Sequence, residues 1–70
     1  MPHQLMHIVA YNTDGRSFDL MIEGSQIAAW LNSRKNPKMW WVRIADQTGK
    51  RVGYKEEGQE TITWETPFPP

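Results

Sequence analysis

Three times the chain sets turn-forming residues ahead of a glycine: Asn12-Thr13-Asp14-Gly15, Asp46-Gln47-Thr48-Gly49 and, less cleanly, Glu56-Glu57-Gly58. Each fits a three-residue hairpin loop, a type I turn closed by a glycine in the left-handed region, where a residue without Cβ meets no steric penalty. A loop of defined length sets the register of the strands it joins, so these turns constrain the fold more than any other feature. Pairing Asn12 with Arg16 sets Ala10 against Phe18, Ile8 against Leu20 and Met6 against Ile22. Pairing Asp46 with Lys50 sets Ile44 against Val52 and Val42 against Tyr54. Pairing Lys55 with Gln59 sets Val52 against Ile62 and Lys50 against Trp64. The apolar sets match in each hairpin, and a slip of one residue would separate them.

The segments between the turns agree. Residues 5–11 are rich in apolar residues and strand formers, and Phe18, Leu20 and Ile22 alternate with Ser17, Asp19 and Met21 at period 2. In residues 25–35, Ile27, Trp30 and Leu31 form one helical stripe, Ala28 and Ala29 favour helix, and Ser25 is placed as N-cap. Asn36-Pro37 ends that helix, because the residue before a proline is pushed out of the helical region. The order β-β-α-β-β-β predicts an α+β fold, one antiparallel sheet with a single short helix of about three turns packed on one face. Residues 1–65 form one domain and residues 66–70, Thr-Pro-Phe-Pro-Pro, an extended tail.

A chain of 70 residues has room for one domain and a small core. It contains no cysteine, so neither a disulfide nor a thiolate metal site can staple it. Four Trp, two Tyr and two Phe supply the bulk instead. No apolar run approaches the roughly 20 residues of a membrane span, and Met1-Pro2-His3-Gln4 lacks the charged region and apolar block expected of a signal peptide. The expectation is a cytoplasmic protein without membrane contact. Net charge is zero but unevenly spread. Residues 1–33 hold Arg16 against Asp14, Asp19 and Glu23. Residues 34–55 hold Arg34, Lys35, Lys38, Arg43, Lys50, Arg51 and Lys55 against Asp46 alone. Residues 56–70 hold four glutamates, Glu56, Glu57, Glu60 and Glu65. A polarised surface is one outcome; acidic ends folded back on the basic block are the other.

The predicted register sorts side chains onto two faces. Met6, Ile8, Ala10, Phe18, Leu20, Ile22, Trp40, Val42, Ile44, Val52, Tyr54, Ile62 and Trp64 meet the helix and form the core. The other face of the last three strands carries Met39, Trp41, Arg43, Arg51, Gly53, Lys55, Thr61 and Thr63, with Trp41 opposite Lys55 and Arg43 opposite Gly53. One helix cannot cover both faces. An uncovered Trp among cations has the composition of a binding hot spot; cations that merely shield an indole are the plainer alternative. The candidate partner-binding residues are therefore Trp41, Arg43, Arg51 and Lys55, helped by Arg34, Lys35 and Lys38. On the first two strands the same face carries Leu5, His7, Val9, Tyr11 and Met21, apolar enough for a homodimer interface, a patch for another protein, or a strand buried on both sides.

Catalytic patterns are missing. His3 and His7, the only histidines, lie four residues apart on a strand, about 13 Å, too far to share one ion. No serine carries a triad pattern and Gly49-Lys50 lacks the rest of a P-loop. The chain is expected to be no enzyme and to hold no metal or cofactor.

The β-β-α order followed by a β-meander, with Trp-Val-Arg-Ile at 41–44, Gly-Lys-Arg-Val-Gly-Tyr-Lys-Glu-Glu-Gly at 49–58 and Trp64 in the last strand, resembles small phage-encoded anti-CRISPR proteins of the type I-F inhibitors. The element order extends over most of the chain, whereas the residue match is confined to the second half. That resemblance implies a non-enzymatic inhibitor that docks on backbone subunits of a CRISPR surveillance complex and blocks the path of target DNA. The alternative is a small nucleic-acid-binding protein that uses the Trp, Arg and Lys face as a stacking platform, although zero net charge is unusual for one.

Overall fold

The computed structural model describes residues 5–65. Strands β1 (Leu5–Asn12) and β2 (Ser17–Glu23) make the first hairpin in the predicted register: Met6 faces Ile22, Ile8 faces Leu20 and Ala10 faces Phe18. Gly15 takes φ +94° and its N–H donates to the Asn12 carbonyl at 3.0 Å, while the Asn12 N–H donates to the Arg16 carbonyl at 2.8 Å. The second turn is built alike, with Gly49 at φ +89° and the Asp46 N–H donating to the Lys50 carbonyl at 2.9 Å. There the Asp46 carboxylate also accepts from the Thr48 hydroxyl at 2.6 Å and from the Thr48 and Lys50 N–H groups at 2.9 and 3.1 Å. The Thr48 hydroxyl, followed by these two amides and the Lys50 charge, holds that carboxyl below the usual carboxylate range.

The helix is shorter than predicted. A 3-10 turn at Gly24–Gln26 leads into α1 (Ile27–Asn32), so Ser25 lies within the turn and caps nothing. The apolar stripe explains the length: Ile27 and Leu31 are buried and Trp30 packs beside them, which two turns achieve. Ser33 then ends the helix, its Oγ donating to the Trp30 carbonyl at 2.6 Å. Pro37 opens a second 3-10 turn, Pro37–Met39, capped by Asn36 Oδ1, which accepts the Lys38 N–H at 3.2 Å.

Strands β3 (Trp40–Ala45), β4 (Arg51–Lys55) and β5 (Thr63–Trp64) complete an antiparallel sheet of order β2-β1-β3-β4-β5, giving the α+β fold. The first strand lies between β2 and the central strand β3: Ile8 faces Ile44 and Ala10 faces Val42 on β3. Met6, Ile8, Ala10, Val42 and Ile44 pack with Ile27 and Leu31 of α1, Trp40 and Val52, while Phe18, Leu20, Ile22, Ile62 and Trp64 close the margins half-buried. The N-terminal strand is not buried on both sides, since Leu5 and Tyr11 are exposed.

The predicted register fails in the second half of the meander. Ala45 pairs with Arg51 as expected, but a bulge follows and Ile44 pairs with Gly53, Arg43 with Tyr54 and Val42 with Lys55. Val52 is the extra residue on β4. Because side chains alternate with period 2, one inserted residue exchanges the faces of everything beyond it. Gly53 and Lys55 therefore turn to the core side and Tyr54 to the outer side, the reverse of the expectation. The third hairpin departs as well: Gly53 pairs with Trp64 and Tyr54 with Thr63, in place of Val52 with Ile62 and Lys50 with Trp64. Its turn is held elsewhere, the Gly58 N–H donating to the Lys38 carbonyl at 2.6 Å and the Glu56 N–H to Gln59 Oε1 at 2.8 Å. The first bond ties the loop to the Pro37–Met39 turn; the second joins the Gln59 N–H, which donates to the Glu56 carbonyl at 3.1 Å, in closing a turn over Glu56–Gln59, one residue beyond the predicted loop. The predicted tail 66–70 and His3 lie outside the described residues.

Candidate partner-binding surface

The face opposite the helix is built from alternate residues of the sheet. β1 supplies Leu5, His7, Val9 and Tyr11, β2 supplies Asp19 and Met21, β3 supplies Trp41 and Arg43, and β4 supplies Tyr54. Tyr11 lies directly across from Trp41, ring centroids 5.7 Å apart and tilted by 44°. Both rings meet solvent, Tyr11 at 53% and Trp41 at 37% exposure, as does Met21 at 51%. Trp41 is thus exposed where the sequence places it, but its neighbour is Tyr11. Arg43 sits between Val9 and Tyr54 and has no carboxylate partner among the described residues; its Nη2 donates to the Gly49 carbonyl at 3.4 Å.

The other predicted cations are dispersed. Lys55 is removed from this face: it is fully buried, and its Nζ donates to the carbonyls of Trp40 and, at 3.3 Å, Glu56. Burial pushes its ammonium below the usual lysine range, opposed weakly by the Glu57 charge. Arg51 is held by Glu65, with Nη2 3.1 Å from Oε2, and lies over the Tyr54 ring at 5.0 Å; hydrogen bonding to Glu65 and its charge raise the Arg51 pKa. Lys38 pairs with Glu60 at 3.1 Å. The acidic C-terminal segment does fold back on part of the basic block, through these two pairs. His7 pairs with Asp19.

Arg34 and Lys35 belong to a separate place, a cleft of about 550 Å³ between the β1–β2 turn and the segment after α1. The Arg34 guanidinium lies 4.8 Å from the Phe18 ring centre and 4.9 Å from that of Trp30, and its Nη2 donates to Ser33 Oγ at 2.7 Å. The two rings meet edge to face, centroids 5.8 Å apart, so the guanidinium rests against the corner that they form and is held there by the Ser33 bond before any partner arrives. Trp40 also lines the cleft, and its buried indole N–H has no acceptor among the described residues.

Two features of the surface escaped the sequence reading: Tyr11 as partner of Trp41, and the cleft. Both depend on β1 lying beside β3, a pairing across about thirty residues that no turn encodes. Among the described residues no three His, Cys, Asp or Glu side chains are grouped to hold a metal ion, and no helix is long and apolar enough to cross a membrane. No known protein family, curated protein or solved structure matches the chain.

Proposed function

We propose that this chain is a non-enzymatic protein-binding inhibitor whose uncovered sheet face docks on a partner, acting in the host-cell cytoplasm as an anti-CRISPR protein that blocks target DNA from a surveillance complex. The exposed Tyr11–Trp41 pair beside Arg43 carries the reading: aromatic and Arg side chains on a rigid sheet are the residue types that dominate interface energies. The anti-CRISPR part rests on the resemblance of residues 41–64. A protein partner is favoured over nucleic acid by the cations themselves. Tracking a phosphate backbone takes several free cations along one groove. Lys55 is buried and Arg51 is paired with Glu65, which leaves Arg43 as the cation of that face without a carboxylate partner.

The test is binding of the purified chain to a purified type I-F surveillance complex, with target-DNA loading as the second readout. The wild-type chain should bind and prevent loading. Trp41→Ala should weaken binding by about 2 kcal/mol or more while the fold is retained. A wild-type chain that ignores the complex, or a Trp41→Ala chain that binds unchanged, overturns the proposal. Affinity for single-stranded DNA that falls steeply with salt would assign the face to nucleic acid instead.

A further inference from the structure

We propose that the cleft at the β1–β2 turn receives a carboxylate from an acidic segment of a protein partner. The inference rests on the protein-binding reading above and names the chemistry of one contact, on a different part of the surface from the Tyr11–Trp41 pair.

The cleft is rich in hydrogen-bond donors for a specific structural reason. Asn12 and Asn36 both line it, and in each the side-chain oxygen is already engaged. Asn12 Oδ1 accepts the Asp14 N–H at 3.1 Å inside the turn, and Asn36 Oδ1 accepts the Lys38 N–H at 3.2 Å as the cap of the 3-10 turn. An amide whose oxygen is committed offers its NH2 group to whatever comes next. Trp40 lines the cleft as well, and its indole N–H is buried without an acceptor among the described residues, a donor that an incoming group reaches only by shifting the ring. A buried donor left in this state calls for an explanation, and an acceptor entering the cleft supplies one.

Charge points the same way. Arg16, Arg34 and Lys35 line the cleft against the single carboxylate of Asp14, which pairs with Arg16 at 3.7 Å. Arg34 and Lys35 have no carboxylate partner among the described residues. Arg34 packs against the edge-to-face pair Phe18 and Trp30 and is bonded to Ser33, so little side-chain entropy is lost when it takes an anion. A carboxylate side chain fits better than a nucleotide. The rings that could stack a base are occupied, since Phe18 faces Arg34 and packs on Trp40 with centroids 5.3 Å apart, and Asp14 opposes a doubly charged phosphate.

An NMR titration of the 15N-labelled full chain tests this directly. Octaglutamate peptide should shift the Trp40 indole and the Asn12 and Asn36 side-chain amide resonances; octaglutamine should not. Arg34→Gln should weaken octaglutamate binding at least about tenfold, as expected for loss of a charge-assisted hydrogen bond. Lys35→Glu, on an exposed residue, gives a second variant that leaves the contacts of Arg34 with Phe18 and Trp30 intact and should also weaken binding. Resonances unmoved by saturating octaglutamate, or a folded Lys35→Glu chain that binds it as tightly as wild type, overturn the proposal. Equal shifts with oligothymidylate overturn it too, by assigning the cleft to phosphate. If octaglutamate fails while Trp41→Ala still abolishes binding to the complex, the cleft proposal falls and the protein-binding reading stands.

Discussion

At Lys55 a cation sits where the strand pattern of the core calls for an apolar side chain, opposite Val42 and fully buried. Two backbone carbonyls accept hydrogen bonds from it, but no carboxylate accompanies it into the core. Desolvation lowers its pKa, and the sign of the stability effect follows. Between the lowered folded pKa and the unfolded value near 10.5, the unfolded chain holds a proton that the folded chain has lost. Stability from this group therefore rises with pH across that window, and below it the fold carries the full cost of the buried charge. Lys55→Met keeps the side-chain volume and removes the charge. Urea denaturation at pH 7 should find that variant as stable as wild type within about 1 kcal/mol, or more stable, as for other buried ions replaced by apolar groups. Between pH 7 and 10 the wild-type chain should gain stability relative to the variant. A constant difference between the two across that range would reject the assignment.

The element that decides the second half of the sheet is the bulge in β4. A Cβ placed on Gly53 would lie 2.7 Å from Cε3 of Trp64 and 3.2 Å from Cγ2 of Ile62. The indole of β5 thus rests on the bare backbone of β4, and the extra residue Val52 brings Gly53 round to meet it. The Val52 carbonyl is not left without a partner, because it accepts the Glu65 N–H at 2.9 Å. Gly53→Ala must displace Trp64, at about 1–3 kcal/mol, the usual range for overpacking. In a double-mutant cycle Trp64→Leu should relieve part of that loss, giving a coupling that neither change shows alone. Additive effects in thermal or urea unfolding would mean that the ring and the glycine do not compete for space. The sequence did hold a sign of this bulge, since an isolated glycine inside a strand pattern marks a bulge or a close backbone approach. Strict alternation without a bulge at this glycine puts Tyr54 inside and Lys55 outside, the reverse of what the structure holds.

Across the whole molecule the core is a thin layer centred on β1 and β3. Ile8, Val42 and Ile44 are fully buried, whereas Phe18, Leu20 and Ile22 on one margin and Ile62 and Trp64 on the other are half-buried. Truncation should therefore cost most at the centre. Ile8→Ala is expected to lose about 2–5 kcal/mol. Ile62→Ala, which the predicted register would place in the same class, should lose clearly less, because part of its surface already meets water. Urea midpoints of the two variants, with slopes unchanged, check the gradient; equal losses would mean that the β5 margin is as closely packed as the centre.

What the sequence determined by itself is local. Asn12 to Gly15 and Asp46 to Gly49 each contain the whole turn, so element order, the β1–β2 register, the start of the β3–β4 hairpin and the existence of the helix could be read from neighbouring residues. The exposure of Trp41 followed from the same alternation. The tertiary structure decided whatever depended on residues distant in the chain. It set β1 beside β3 and so brought Tyr11 to Trp41. It also gave Trp64 a place on Gly53, and that contact across the sheet accompanies the bulge that carried Lys55 inside. It spent Lys38 and Arg51 on glutamates from the far end of the sequence. Turn chemistry acts within four residues, whereas the pairing of strands and the burial of a ring are settled by the free energy of the packed whole, in which one local preference can be overruled.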